Sequence, residues 1–283
     1  LALMAACSGE EAKESRADSR AKPVVYTTFY PATYFAERIA GDLAEVVCPL
    51  PDGEDPIFWD PGEEAIRGYQ EADLIVINGA SFEKWVDKVS LPMARMVDTA
   101  KPFKDEFVRY EESTTHSHGK TGEHSHEGTD GHTWLDPVLA AKQAEAIHRG
   151  LIRLLPDRED QLDARLESLK SDLAALDATL RETKGLTIYA SHPAYNYVAR
   201  RYGWNVVNLD LDPGAMPADE VFAEVKAKGH ATTLLWESEP LPEIAKRFEE
   251  EAGLKSIVFS PCEGAPESGD YLSAMKANLA RIR

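Results

Sequence analysis

The stretch 186-LTIYASHPAYNYVARRYGWNVVNL-209 decides the fold. LTIYA, residues 186–190, is a short apolar run rich in β-formers, of strand length. His192-Pro193 then opens a helix through Arg201, and NVVNL, residues 205–209, is a second strand. Two strands joined through a helix lie parallel, so this is a βα unit of a parallel sheet. Outward from it, toward the C-terminus, the alternation continues: helix 217–228, strand TTLLW (232–236), helix 241–252, strand SIVF (256–259) and a terminal helix from about Gly269. Toward the N-terminus a similar series stands: strand VVYTT (24–28), helix 31–40, strand 44–48, a helix from Glu63 to near Ala72, strand LIVIN (74–78), helix 81–88 and a strand around 95–98. LIVIN is almost wholly apolar, as a parallel strand buried on both faces should be.

Between the two series lies the clearest helix, residues 157–183. Leu162, Leu166, Leu169, Leu173, Leu176 and Leu180 step by four and three and form one apolar stripe. At 1.5 Å per residue such a helix is about 40 Å long, enough to run across both halves. The sequence therefore predicts an α/β protein of two lobes. Each is a parallel-type sheet flanked by helices, the lobes are joined by a long linking helix, and a ligand cleft lies between them. The expected divisions are a signal remnant and tether (1–22), an N-terminal lobe (23–137) that includes a His-rich loop (113–132), a helical segment (138–184) and a C-terminal lobe (185–283).

The 283 residues carry a formal charge of −18, which argues against nucleic acid as a partner and favours cations. No internal stretch is long and apolar enough to span a bilayer. The N-terminal LALMAAC reads as the tail of a lipoprotein signal, with Cys7 the expected lipidation site and residues 8–22 a polar tether. That implies a lipid-anchored protein of the periplasm or cell surface. For the other two cysteines, Cys48 and Cys262, a disulfide and two free thiols both stay open.

The chemistry concentrates in 116-HSHGKTGEHSHEGTDGHTWLDP-137, which holds five of the eight histidines. Neutral imidazole is the commonest protein ligand for zinc-like metals. His116, His118, His124 and His126 are expected to form a mobile, low-affinity metal loop. His132 stands at its anchored end, where Asp136 is a plausible N-cap and Pro137 a first helical residue. In open α/β sheets ligands bind beyond the carboxyl ends of the strands. The polar residues there are Asp55 and Asp60, His192 directly after LTIYA, Glu237 directly after TTLLW, and the 260–263 turn. His132, His192 and Glu237 together make a Zn²⁺ donor set. Each has a plainer alternative: His192 as a helix cap, Glu237 in local hydrogen bonds near Pro240, Asp60 as a turn residue. Trp59, Trp134 and Trp236 adjoin these positions and would serve as core or as cleft wall. His148 and His230 read as ordinary residues on or near helix surfaces. No H-E-x-x-H or activated nucleophile is present, so no enzyme is expected.

His132-Thr133-Trp134-Leu135-Asp136-Pro137 and Ser191-His192-Pro193-Ala194-Tyr195-Asn196-Tyr197, with the long helix between them and the late Tyr271-Leu272, Met275 and Asn278, resemble the metal-specific (zinc or manganese) substrate-binding lipoproteins of bacterial ABC transporters. The His-rich loop is similar to that of the zinc-type members. The resemblance implies a receptor that captures Zn²⁺ outside the membrane and hands it to a membrane permease. A zinc-buffering or adhesin-type surface lipoprotein, a manganese receptor and a binder of organic solutes are the alternatives. It implies four ligands, of which His132 and His192 match two. Ile57 and Ser260 stand where the other two would be, which leaves Glu237, then Asp60 and Glu263, or a loop histidine, as substitutes.

Overall fold

A computed structural model describes residues 22–110, 114–117, 123–126 and 128–282, with only the backbone described at 114–117 and 123–126. In the N-terminal half the elements are β1 (Val24–Thr27), α1 (Tyr30–Ala40), β2 (Glu45–Val47), α2 (Glu63–Glu71), β3 (Leu74–Ile77) and β4 (Met96–Asp98). A connection then carries the antiparallel hairpin β5 (Thr114–Ser117) and β6 (Glu123–His126). Two antiparallel helices follow, α3 (Pro137–Leu154) and α4 (Glu159–Leu180). The C-terminal half holds β7 (Thr187–Ala190), α5 (Asn196–Tyr202), β8 (Asn205–Asn208), α6 (Asp219–Lys228), β9 (Thr233–Trp236), α7 (Pro242–Arg247), β10 (Lys255–Val258) and α8 (Tyr271–Ile282).

Both four-stranded sheets are parallel throughout and share one topology. The N-terminal order is β2-β1-β3-β4, and the C-terminal order, read the same way, is β8-β7-β9-β10. In each lobe the first strand lies inside the sheet, with the second on one side and the third on the other. The loops that leave the first and third strands therefore diverge, which creates a switch point where α/β proteins bind ligands.

The leucine stripe of α4 is buried along its whole length. It joins Phe35 and Ile39 of α1, Ile147 and Leu151 of α3, Val198 of α5, Tyr271 and Met275 of α8, and Val25, Ile188 and Ile257 of the sheets in one continuous core. The outer face of each sheet has its own apolar cluster: Tyr69, Ile75, Ile77 and Trp85 in one lobe, Tyr189, Phe222, Leu234, Trp236 and Phe248 in the other. Since α4 packs on both α1 and α8, the lobes share an apolar backing.

Four local expectations are corrected. Only Val86–Lys88, a single 3-10 turn, is helical in the span 81–88. The chain leaves β3 through Gly79, Ala80 and Ser81, all at positive φ (79°, 52° and 60°), and Glu83 bends back to accept from the N–H groups of Asn78 and Gly79. The helix after His192-Pro193 starts at Asn196, which leaves His192 on a turn beyond β7. In 241–252, α7 stops at Arg247 and continues as a wider π turn, Phe248–Ala252, closed by Gly253 at φ 69°. His148 is buried between α3 and α4, 2.7 Å from Asp163, rather than ordinary.

Candidate metal centre

The C-terminal lobe sends His192 from the end of β7 and Glu237 from the end of β9, the adjacent strands at its switch point. Their side chains meet, with His192 Nδ1 3.6 Å from Glu237 Oε2. His132 arrives from the opposite lobe, on the loop that precedes α3. Its ring centroid is 5.7 Å from that of His192, and its Nε2 is 2.9 Å from Glu263 Oε1, on the turn after β10. Asp55, on the loop after β2, faces both Glu263 and His132 electrostatically. Two imidazoles and three carboxylates thus converge from five loops. Among the described residues no three such side chains are already drawn up as a metal shell, and the Nε2 of His132 faces Glu263 instead.

His132 is held in place locally. Asp136 caps α3 by accepting from the N–H groups of Val138 and Leu139, with Pro137 as first helical residue, so the chain before it must turn sharply. Trp134 is fully buried, donates from its indole N–H to the carbonyl of Pro261 at 2.8 Å and lies 5.3 Å from the His132 ring. Asn78, at the end of β3, donates to the carbonyl of Gly131 and accepts from Thr133 and Gln143. Gly131 has no room for a side chain, since a Cβ there would stand 2.7 Å from the Phe82 ring.

The turn that carries Glu263 is fixed as firmly. Asn278 of α8 brackets Ser260, accepting from its N–H and donating to its carbonyl. Cys262 sits at φ 63°, and the N–H of Tyr30 donates to the Glu263 carbonyl. Ser260 is thereby committed to α8 and the turn, and the carboxylate that reaches the cleft comes three residues later. Ile57 is buried in the core with its N–H on Asp55 Oδ1, so Asp55 is the acidic group that this loop offers. Trp134 and Trp236 are core, and Trp59 packs on Trp85.

The electrostatics follow from burial of like charges. Burial and then the charge of Glu263 push Glu237 up to about 8, and the same two causes push Asp55 up to about 6. Burial alone would lower His132, but Asp130 and Glu263 outweigh it and hold the ring up to about 10. The cluster carries protons where a divalent cation would supply positive charge, so cation capture there is chemically an exchange for protons.

Of the sequence-predicted residues, His132, His192 and Glu237 come together, joined by Glu263 and Asp55. Asp60 lies on the same loop as Asp55 without a described contact to the histidines. Cys48 and Cys262 are both free thiols. Cys7 and His118 lie outside the described residues, as do the side chains of His116, His124 and His126, whose backbone forms the hairpin with His116 opposite His124. Sequence reasoning overlooked Asp130, buried beside His132. Its signal was the Asp130-Gly131-His132 spacing, in which an aspartate accepts from the N–H two residues on.

A family model described as the periplasmic zinc-uptake complex component A, ZnuA, matches residues 25–283. The zinc-binding lipoprotein AdcA of Streptococcus pneumoniae is 30% identical over 298 aligned residues that cover 99% of this chain and 58% of AdcA. The high-affinity zinc uptake system protein ZnuA of Bacillus subtilis is also 30% identical, over 99% of this chain and 93% of its own. The crystal structure of Zn(II)-bound AdcA from S. pneumoniae superimposes with a TM-score of 0.78 at 27% identity, over 93% of this chain and 57% of that one. The chain therefore spans little more than half of the pneumococcal relative.

Proposed function

The chain belongs to the ZnuA family of zinc-uptake components, and from that premise we propose that it is an extracytoplasmic solute-binding protein that captures Zn²⁺ and delivers it to an ABC permease. The observation that carries the proposal is the meeting of His132 and His192, 5.7 Å apart between ring centres, with Glu237 beside one ring and Glu263 beside the other. His132, His192 and Glu237 are the ligands, and Glu263 is the carboxylate placed to complete the set. Nitrogen and carboxylate donors in this ratio suit zinc, and the two imidazoles favour it over manganese. Zinc is cargo, held by reversible ligation, and no catalytic step is assigned. Cys7 is the proposed lipid attachment, which would keep the protein at the outer side of the cytoplasmic membrane beside its permease. His116, His118, His124 and His126 form a collecting loop of lower affinity.

The test is the double substitution His132→Ala with His192→Ala. It should abolish stoichiometric, high-affinity zinc binding in calorimetry while the fold, read by circular dichroism, stays intact. Unchanged affinity in the folded double variant would overturn the assignment.

A further inference from the structure

One buried carboxylate touches both histidine segments, and it is not placed to bind the cargo. Asp130 is fully buried. Its Oδ1 accepts from the backbone N–H of His132 at 2.9 Å and lies 2.7 Å from His132 Nδ1. Its Oδ2 accepts from the side-chain amide of Asn196 at 3.0 Å, and Asn196 opens α5 four residues after His192. Tyr110 also donates to the Asp130 side chain. The backbone carbonyl of Asp130 accepts from Tyr197, the next residue of α5, at 2.9 Å. Both oxygens of the carboxylate are thus engaged, one by each lobe.

We propose that Asp130 is the positioning residue of the metal centre: it holds the proton on His132 Nδ1, so that Nε2 is the nitrogen offered to the cleft, and through Asn196 it sets the distance between the two histidines. The inference rests on the assignment of His132 and His192 as ligands. An imidazole binds a metal through one nitrogen only, and the partner of the other nitrogen decides which. With Asp130 accepting at Nδ1, the only ring nitrogen directed at Glu263 and the cleft is Nε2. The arrangement also keeps the ring from rotating: its backbone N–H and its Nδ1 are bound to the same oxygen atom, which fixes the side chain relative to its own main chain. The link to Asn196 adds a second constraint, because a shift of α5 would move His192 and strain the Asp130–Asn196 bond together.

Four variants of the full chain test this by chelator-competition titration with zinc. Asp130→Ala removes the acceptor and should weaken zinc binding by about 10- to 100-fold, the range for loss of a ligand's supporting carboxylate. Asp130→Asn keeps an oxygen for Nδ1–H without the charge and should fall between Asp130→Ala and the parent. In the zinc-loaded parent the Nδ1–H proton should appear as a low-field, slowly exchanging resonance, moved upfield in Asp130→Asn and lost in Asp130→Ala. Asn196→Ala should weaken zinc binding by less than Asp130→Ala and leave that resonance in place. Tyr197→Phe removes the hydroxyl on the Asp130 carbonyl and leaves the carboxylate untouched; it should lower the melting temperature and leave zinc affinity as in the parent. If Asp130→Ala does not fold, Asp130→Asn and Asn196→Ala decide. Parent affinity and an unmoved Nδ1–H resonance in Asp130→Asn would overturn the inference, as would a Tyr197→Phe variant that loses as much affinity as Asp130→Asn. Should His132→Ala bind zinc as tightly as the parent, the ligand assignment fails instead, and the two failures are distinct.

Discussion

Asp177 shows how a single carboxylate couples the two histidine segments to the linking helix. It accepts from Arg181, from Arg201 at 2.7 Å and from Tyr202 at 2.8 Å, and Arg201 lies 3.4 Å from Asp136, the cap of α3. Burial would raise the Asp177 pKa, but the hydrogen bonds from Arg201, Tyr202 and Arg181 outweigh it and hold the group down at about 2, from 3.8. A depressed carboxylate stabilises the folded state above its unfolded pKa, and that contribution is lost as pH falls through the folded value. Asp177→Asn should therefore cost about 2 kcal/mol near neutral pH. The gap from the parent should close as the pH is lowered from 3.8 toward about 2, which urea unfolding at a series of pH values would measure. A gap that stays constant down to about pH 2 would show that packing, not charge, carries the effect. At the cleft, Glu237→Gln keeps the shape of the side chain and removes its negative charge. As a proposed ligand it should weaken zinc binding at least about tenfold, equivalent to about 1.4 kcal/mol. An affinity equal to that of the parent would leave Glu263 and Asp55 as the acidic ligands.

Among the elements, α3 is placed by the absence of a side chain. Gly150 faces β4 so closely that a Cβ would stand 2.8 Å from Val97 Cγ2 and 3.2 Å from Leu74 Cδ2. Gly150→Ala gains about 1 kcal/mol of helix propensity. Overpacking a filled core costs about 1–3 kcal/mol, so the net effect should be destabilising, with a lowered melting temperature. On the next helix, Leu169→Ala should cost about 2–5 kcal/mol because Leu169 is fully buried in the shared core. These two positions also mark what the sequence made legible. The stripe around Leu169 repeats at helical spacing and needs no knowledge of its neighbours, and the sheet strands of both lobes were legible as short apolar runs. The 81–88 segment was not, because Glu83 spends its carboxylate on the N–H groups of Asn78 and Gly79, and no periodicity records that. At the site, His132 and His192 were legible from their motifs and Glu237 from its place after a strand. Glu263 ranked behind it because its reach depends on the left-handed Cys262 and on the grip of Asn278 on Ser260, both tertiary facts. Asp130 was legible only in its spacing from His132, because its other partners Asn196 and Tyr197 lie more than sixty residues away.

At the scale of the whole molecule, two lobes of the same strand order face each other across one cleft, with a common apolar backing along α4. The β5–β6 hairpin stands apart from this plan. Its base is closed by the Arg109–Thr129 bridge and by the bond from the N–H of Tyr110 to the carbonyl of Gly128 at 3.0 Å. The described groups that position His132 lie on the cleft side of that closure: the carboxylate of Asp130, the amide of Asn78 and the indole of Trp134. A hairpin closed at its base in this way should be separable from the proposed tight site. Replacing residues 113–127 with a short Gly-Ser linker keeps Tyr110, Gly128 and Thr129, so the closure can still form. Such a variant should bind one zinc with the affinity of the parent and lose the weaker equivalents contributed by His116, His118, His124 and His126. Titration of both proteins against chelators of graded strength separates the two classes of site. A loop that supplies a ligand to the tight site would give the opposite result, a fall in affinity for the first equivalent. That outcome would replace Glu263 with a loop histidine as the fourth donor.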